Sequence, residues 1–309
     1  MTFKKKIYIA GHTGMVGTAL KDFFSSDSQY ELLISSRDDL DLTQQTQTYE
    51  WLKENTPDIT IIAAAKVGGI QANIDSPYCF ASENIQIAQN LIHGSYLSGV
   101  KRLIFLGSSC MYPKNCPQPM KEDNLLSGPC EPTNEGYAIA KIMGWTLCKT
   151  LRMQYGVDYS CVVPCNLYGK NDTYDPKNSH VIPALIMRMH NAKKNRKPLV
   201  EIWGSGEARR EFLNTSDFVR AIKVLLDQTI LPSIINVGYG SDISIRELAY
   251  IIKEVIGFEG DFVFESNKSE GMKKRLMDST QLENIKSISK TGIYDGIKQV
   301  YKEFKKKYE

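Results

Sequence analysis

The stretch KKIYIAGHTGMVGTALKDFF, residues 5–24, decides the fold. Ile7 to Ala10 form a short, continuously apolar run. Glycine follows at once, and Gly11, Gly14 and Gly17 fall at every third position before an amphipathic run begins. A continuous apolar run reads as a strand covered on both faces, and the run after the glycines reads as a helix. Glycines between the two let the backbone turn tightly and approach a pyrophosphate, whose charge the amino end of the helix favours. Three glycines can also make a simple tight turn. Their place between a strand and a helix is what makes them a dinucleotide loop. Gly11, Thr13, Gly14, Met15, Val16 and Gly17 are its predicted cofactor contacts.

The same alternation continues outward. YELLISS (30–36), DITIIAAA (58–65), KRLIFLGSS (101–109) and YSCVVPCNLYG (159–169) read as strands. QTYEWLKEN (47–55), NIQIAQNLIHGSYLSG (84–99) and residues 134–155 read as helices. These strands are apolar throughout rather than alternating, so helices should cover both sheet faces. The expectation is an α/β fold, a Rossmann-type doubly wound parallel sheet, with an NADP-binding domain over residues 1–169. Beyond Gly169 the loops lengthen, as in KNDTYDPKNSH (170–180) and WGSGEARREF (203–212). Helical patterns recur near 181–193, 215–227 and 244–256. A smaller carboxyl-terminal α/β substrate-binding domain is expected over 170–309, with residues 215–240 folding back onto the sheet.

Composition excludes several classes. The chain has 309 residues, 42% hydrophobic and 24% charged, an ordinary globular balance. It holds no apolar run long enough to cross a bilayer. Basic residues before Ile7 mimic a signal peptide, but the apolar run is too short for one, so a cytoplasmic protein is expected. A net charge of +3 is too mild to argue for nucleic acid. Lys4 to Lys6 and Lys305 to Lys307 read as solvated ends. Seven cysteines without a CxxC pair or a nearby histidine cluster argue against a disulfide framework and against a metal site.

The second strand selects the cofactor. An NAD site usually ends this strand with an acid on the ribose hydroxyls. Here Arg37 stands twenty residues past Gly17, with Ser36 beside it. A guanidinium holds a 2′-phosphate bidentately, so NADP(H) is expected; a surface pairing of Arg37 with Asp38 or Asp39 is the competing explanation. Asp41 and Leu42 are expected to flank the adenine. The small residues Ala63, Ala64 and Ala65 leave room for the dinucleotide to cross.

EGYAIAK (135–141) places Tyr137 and Lys141 one helical turn apart. An ammonium so close is expected to lower the phenol's pKa, letting Tyr137 act as general acid to a ketone oxygen. Ser108, at the end of the fourth strand, supplies a second hydrogen bond. Cys110 lies two residues on, and alternation in an extended segment would turn it to the same side. Its thiolate could take a proton from the carbon beside a sugar ketone, and His180 in NSHVIPAL (178–185) could return one from the other face. A packed, inert thiol and a helix-start histidine satisfied by backbone are the alternatives.

GHTGMVG, AAAKVGGI, FLGSSCMYPK, EPTNEGYAIAK, NLYG, NSHVIPAL, WGSGEARREFL and INVGYG together resemble the GDP-L-fucose synthase family of the extended short-chain dehydrogenase/reductase superfamily. The resemblance runs from about residue 5 to the last helix. It implies an NADPH-dependent enzyme that epimerises and reduces a GDP-4-keto sugar, as a homodimer. It implies Ser108, Tyr137 and Lys141 as the reductase set, and Cys110 and His180 as epimerase base and acid. Pro164, Asn166, Leu167 and His180 fall among its cofactor contacts. Ser109, Cys110, Asn166, Arg188, Trp203, Arg210, Lys274 and Arg275 fall on its substrate side. Three departures stand out: Thr13 replaces an arginine in the glycine loop, Gly136 replaces a frequent proline, and Lys274-Arg275 reverses the usual order. They leave room for a different sugar, such as a GDP-4-keto-heptose reduced without epimerisation. A non-catalytic nucleotide-binding scaffold is the reading from another class.

Overall fold

The computed structural model describes residues 4–175, 179–267 and 271–309. The first half reads β1 (Lys5–Ala10), α1 (Met15–Ser25), β2 (Tyr30–Leu33), α2 (Gln45–Asn55), β3 (Ile59–Ile62), α3 (Ile70–Asp75), α4 (Pro77–Leu97), β4 (Arg102–Leu106), α5 (Glu135–Tyr155) and β5 (Asp158–Pro164). The second reads β6 (Asn166–Tyr168), α6 (Val181–Lys194), β7 (Leu199–Trp203), β8 (Arg209–Arg210), β9 (Phe212–Asn214), α7 (Thr215–Leu226), β10 (Ile234–Val237), β11 (Ile243–Ser244), α8 (Ile245–Ile256), β12 (Asp261–Glu265), β13 (Lys274–Arg275), α9 (Thr280–Ile285) and α10 (Ile293–Tyr308).

Six parallel strands form the central sheet in the order β2-β1-β3-β4-β5-β10. Ile7, Ile9, Ile61, Ile104, Cys161 and Val163 are fully buried in it. Each such aliphatic contributes roughly 1.5–3 kcal/mol by leaving water. The α/β expectation therefore holds, and for the reason that the strands are apolar on both faces. β1 pairs with both β2 and β3, so the sheet grows in two directions from it. That switch point opens a crevice at the carboxyl ends of β1 and β3, where open α/β sheets bind ligands.

YSCVVPCNLYG, expected as one strand, is two. β5 ends at Pro164, and β6 pairs with β9 in a separate small sheet. Proline has no N–H to donate; the Cys165 N–H makes one last bond to the Val237 carbonyl, at 3.1 Å, and the chain then leaves the sheet. α7 and β10 return to the sheet, with Ile234 beside Cys161 and Val237 beside Pro164. Met277 and Leu282 join the same core, a later return that the sequence pattern did not signal. A second core gathers Ile182, Ile186 and Met189 of α6, Leu248, Ile252 and Ile256 of α8, and Ile297, Val300 and Phe304 of α10. Residues 176–178 of the KNDTYDPKNSH loop, and residues 268–270, lie outside the described residues.

Candidate active site

The glycine loop is shaped by two demands. Gly11 has φ +83°, and a Cβ there would lie 2.6 Å from the Ala64 backbone; a Cβ on Gly17 would lie 1.9 Å from the Gly11 carbonyl oxygen. Both glycines are needed by the fold itself. Gly14 differs: it is exposed, and the nearest atom to an added Cβ is 3.6 Å away. It is the N-cap of α1, which has no side-chain cap and no acidic residue in its first turn. The helix's orphan N–H groups and positive end are thus left bare, as a pyrophosphate requires.

Arg37 is exposed and forms no ion pair among the described residues. Ser36 Oγ instead donates to Asp39 Oδ2 at 2.5 Å, so the competing Arg37 pairing is not made. Asp41 Oδ1 accepts from the N–H and hydroxyl of Thr43 at 3.0 and 2.8 Å, and the Leu42 carbonyl accepts from Asn90. Thr13 is exposed at the loop surface, while Met15, Val16, Ala63, Ala64 and Ala65 are partly covered. These residues fit NADP(H), and the exposed Arg37 would be the group to hold its 2′-phosphate. Arg37→Ala is expected to raise KM for NADPH about 10- to 100-fold while leaving NADH turnover nearly unchanged, a split that steady-state kinetics with both cofactors reads.

At the end of β4, Ser108 caps a single 3₁₀ turn, and its Oγ accepts from the Cys110 N–H at 3.3 Å. This turn, not strand alternation, sets Ser108 and Cys110 side by side. Both are half-buried, whereas Ser109 is buried. α5 brings Tyr137 against this turn, close enough for the Ser108 hydroxyl to act on the phenol. Gly136 permits the approach of α5 to α4: a Cβ there would come 2.8 Å from the Pro77 carbonyl oxygen. A cavity of about 340 Å³ runs alongside, lined by Asn134, Gly136 and Tyr137 on one wall and Asn73, Pro77 and Phe80 on the other.

The expected lowering of the Tyr137 pKa is overturned. Burial raises it above the ordinary phenol value, with the Cys110 sulfur adding to the rise and the Ser108 hydroxyl opposing it. The amine does not compensate because Lys141 Nζ donates to the Leu106 carbonyl at 2.8 Å and lies over the Phe105 ring, 4.8 Å from its centroid. Lys141 is itself pushed down to about 8, mainly by burial. Its ammonium is present below about pH 8 and lost above it, so kcat/KM should fall as the pH rises through 8. In Lys141→Met the residual rate should lack that fall, which a pH–rate profile from 6 to 9.5 checks. The stability effect has the opposite sign. Below pH 8 the lysine is charged in both states and carries its full burial cost. Between about 8 and 10.5 the folded form releases its proton first, relieving on the order of 3 kcal/mol.

His180 is the N-cap residue of α6 and is exposed. Its imidazole has no hydrogen bond or ring contact among the described residues, and crowding by protein lowers its pKa. Arg188, on α6, stacks over Trp203 at 5.1 Å and donates to the Glu201 carbonyl. Asn166 Nδ2 donates to the Glu211 carbonyl, and Pro164 and Leu167 are partly covered beside it.

The two cations of β13 part company. Arg275 pairs in register with Arg210, and Lys274 with Arg209. Neighbours on a strand face opposite ways. Arg275 Nη1 reaches Cys110 Sγ at 3.7 Å, whereas Lys274 Nζ binds Asp242 Oδ2 at 3.0 Å, as Arg209 also does. Lys274 is therefore held by a carboxylate, while Arg275 turns to Cys110. Two residues were missed. Asn134 Nδ2 donates to Cys110 Sγ at 3.1 Å, and Asn84 clasps the Lys66 backbone through both its N–H and its carbonyl. EPTN before EGYAIAK was the available signal for Asn134; nothing local marked Asn84.

A model of the NAD dependent epimerase/dehydratase family matches residues 7–238. GDP-L-fucose synthase 1 of Arabidopsis thaliana is 45% identical over 296 residues, covering 96% of this chain and 92% of its own. A GDP-mannoheptose C4 reductase from Campylobacter jejuni, solved with NADP bound, is 34% identical with a TM-score of 0.88 and 99% of both chains covered. A GDP-6-OMe-4-keto-L-xylo-heptose reductase from C. jejuni is 33% identical with a TM-score of 0.91, again over 99% of both chains. A match over most of the length, on a switch-point crevice carrying the Ser108, Tyr137 and Lys141 set, places the chain in the NAD dependent epimerase/dehydratase family and, within it, in the GDP-L-fucose synthase family.

Proposed function

We propose that the protein is an NADPH-dependent 4-ketoreductase of a GDP-4-keto sugar. The carrying observation is the convergence of Ser108, Tyr137 and Lys141 at the carboxyl end of β4, beside a loop built for a dinucleotide. Bound NADPH supplies the hydride that reduces the C4 carbonyl. Ser108 donates a hydrogen bond to the C4 oxygen and holds it toward α5. Tyr137, kept protonated at neutral pH by its burial, passes its hydroxyl proton to that oxygen. The Lys141 ammonium, fixed by the Leu106 carbonyl and 5.7 Å from the centre of the Tyr137 ring, would hold the nicotinamide ribose.

Epimerisation rests on Cys110 and His180. The Cys110 thiolate takes the proton from a carbon beside the ketone, forming S–H as the C–H pair moves into an enolate. His180 as imidazolium returns a proton to that carbon from the opposite face. Solvent then restores both groups. Arg188, Arg210 and Trp203 are assigned to the GDP end, two cations for the diphosphate and a ring for stacking. Reduction of a GDP-4-keto-heptose without epimerisation is the second reading, favoured by the two Campylobacter heptose reductases.

The enzyme acts in the cytoplasm, in polysaccharide biosynthesis, without nucleic acid or membrane partners. Seven free thiols suit a reducing compartment, and no described helix is long and apolar enough to cross a membrane. It works as a homodimer. The packed pair α4 and α5 leaves Ile85, Leu97, Ile139 and Met153 exposed, surface that a second copy would cover. The deciding experiment offers GDP-4-keto-6-deoxymannose and GDP-4-keto-heptoses with NADPH in deuterated water, and reads the product by NMR. Reduction with deuterium beside C4 supports both activities. Clean reduction without it leaves only the reductase, and no NADPH consumption with any of these substrates sinks the reading.

A further inference from the structure

Cys110 Sγ accepts two hydrogen bonds, from Asn134 Nδ2 at 3.1 Å and from Arg275 Nη1 at 3.7 Å, and donates none among the described residues. Two donors, one of them a cation, meet the same sulfur, an arrangement that suits a thiolate. Arg275 gives the second half of the argument. Its guanidinium is partly buried, and no carboxylate pairs with it among the described residues. Its Nη2 donates to Met272 Sδ at 3.0 Å, and its Nε is buried without a partner. A cation held this way needs a counter-charge, and the sulfur is the group its Nη1 meets.

The guanidinium is fixed where it stands. β13 pairs with β8, the Leu276 N–H donates to Gln118 Oε1 at 2.8 Å, and the Met277 N–H donates to Glu211 Oε2 at 3.0 Å. Asn134 is fixed as the N-cap residue of α5, and its Oδ1 is likewise buried without a partner. The other titratable groups facing Cys110 are Tyr137 and Lys141 on α5 and Cys130 in the loop before it. Lys141 is committed to the Leu106 carbonyl, which leaves Arg275 as the free donor charge.

We propose that Asn134 and Arg275 are positioning residues that hold Cys110 as an anionic, outward-aimed base for proton abstraction from the sugar. This assignment rests on the epimerase half of the function above. Iodoacetamide reacts with anionic sulfur, so its rate reads the clamp without needing a sugar. Cys79 is exposed on α4 and serves as an internal reference within the same chain, with both sites followed by peptide mass spectrometry. At pH 7, Arg275→Met is expected to slow Cys110 alkylation about tenfold relative to Cys79, Asn134→Ala about threefold, and Arg275→Lys to recover part of the rate. Should Arg275→Met fail to fold, Asn134→Ala and Arg275→Lys decide the matter. Cys110 rates within twofold of wild type in the folded variants overturn the proposal. Deuterium uptake by the wild type is scored apart: its absence removes the epimerase reading, while the alkylation series still judges the clamp.

Discussion

Tyr137→Phe is expected to cut NADPH-dependent reduction about 10²- to 10⁴-fold while leaving NADPH affinity nearly intact. The change deletes one oxygen and keeps the ring against the Ser108 turn, so the cleft retains its shape. What it removes is the acid. Burial keeps the phenol protonated at working pH, so in the wild type the proton sits beside Ser108 before the substrate arrives. Without it, the C4 oxygen must draw a proton from water while still bonded to Ser108. Ser108 can share the developing charge but does not replace a proton donor, so the residual rate should survive at the low end of that range. Single-turnover loss of NADPH absorbance gives the rate, and fluorescence titration gives the affinity. A rate within threefold of wild type would return the chain to the scaffold reading, since a nucleotide-binding protein has no use for the hydroxyl.

The parts of this site that were legible in the sequence are those built from neighbours. Gly11, Gly14 and Gly17 sit within one strand–turn–helix, so their spacing and that local context together point to a dinucleotide loop. Tyr137 and Lys141 share a helix face by the same local logic. The direction of the Tyr137 pKa was not legible, because it depends on burial and on where Lys141 finds an acceptor, the Leu106 carbonyl 35 residues away. The Lys274-Arg275 pair illustrates the limit more sharply. The two residues are adjacent and both cationic, and only the pairing of β13 with β8 decides which of them meets Cys110 and which meets Asp242. Period-two geometry separates them completely once the register is known.

Buried polar residues with long-range partners were the least legible. Asn236 is fully buried. It accepts from the Tyr112 hydroxyl at 2.6 Å and donates to the Met120 and Asp278 carbonyls, tying the chain just beyond the catalytic turn to β10 and to the segment after β13. Its sequence context, SIINVGYG, signals a strand and gives no hint of the partners. Long-range satisfaction of buried polar groups is required by desolvation, but which residue supplies it is a property of the packed chain.

Glu211 joins the same elements and gives the largest expected loss of stability. It is fully buried in the WGSGEARREF segment. Oε1 accepts from the Gly240 N–H at 2.6 Å and Oε2 from the Met277 N–H at 3.0 Å, while its main-chain carbonyl accepts from Asn166. Burial raises its carboxyl pKa, and the backbone donors pull against that rise. Glu211→Ala strands both N–H groups in a dry interior, for about 3–5 kcal/mol lost and a melting midpoint lower by roughly 6–12 °C. Glu211→Gln keeps one oxygen for one of the two donors but turns an NH₂ on the other, so about half of that loss is expected. The activity effect should exceed the stability effect at temperatures where the variants stay folded. The Met277 N–H anchors the strand end that carries Arg275, so Cys110 alkylation should slow in Glu211→Ala as it does in Arg275→Met. Calorimetry on the three proteins, with Cys110 alkylation at 20 °C beside it, checks both. Glu211→Ala melting within 2 °C of wild type would mean that water reaches those amides, and the buried brace between the sheet and the Arg275 segment would have to be abandoned.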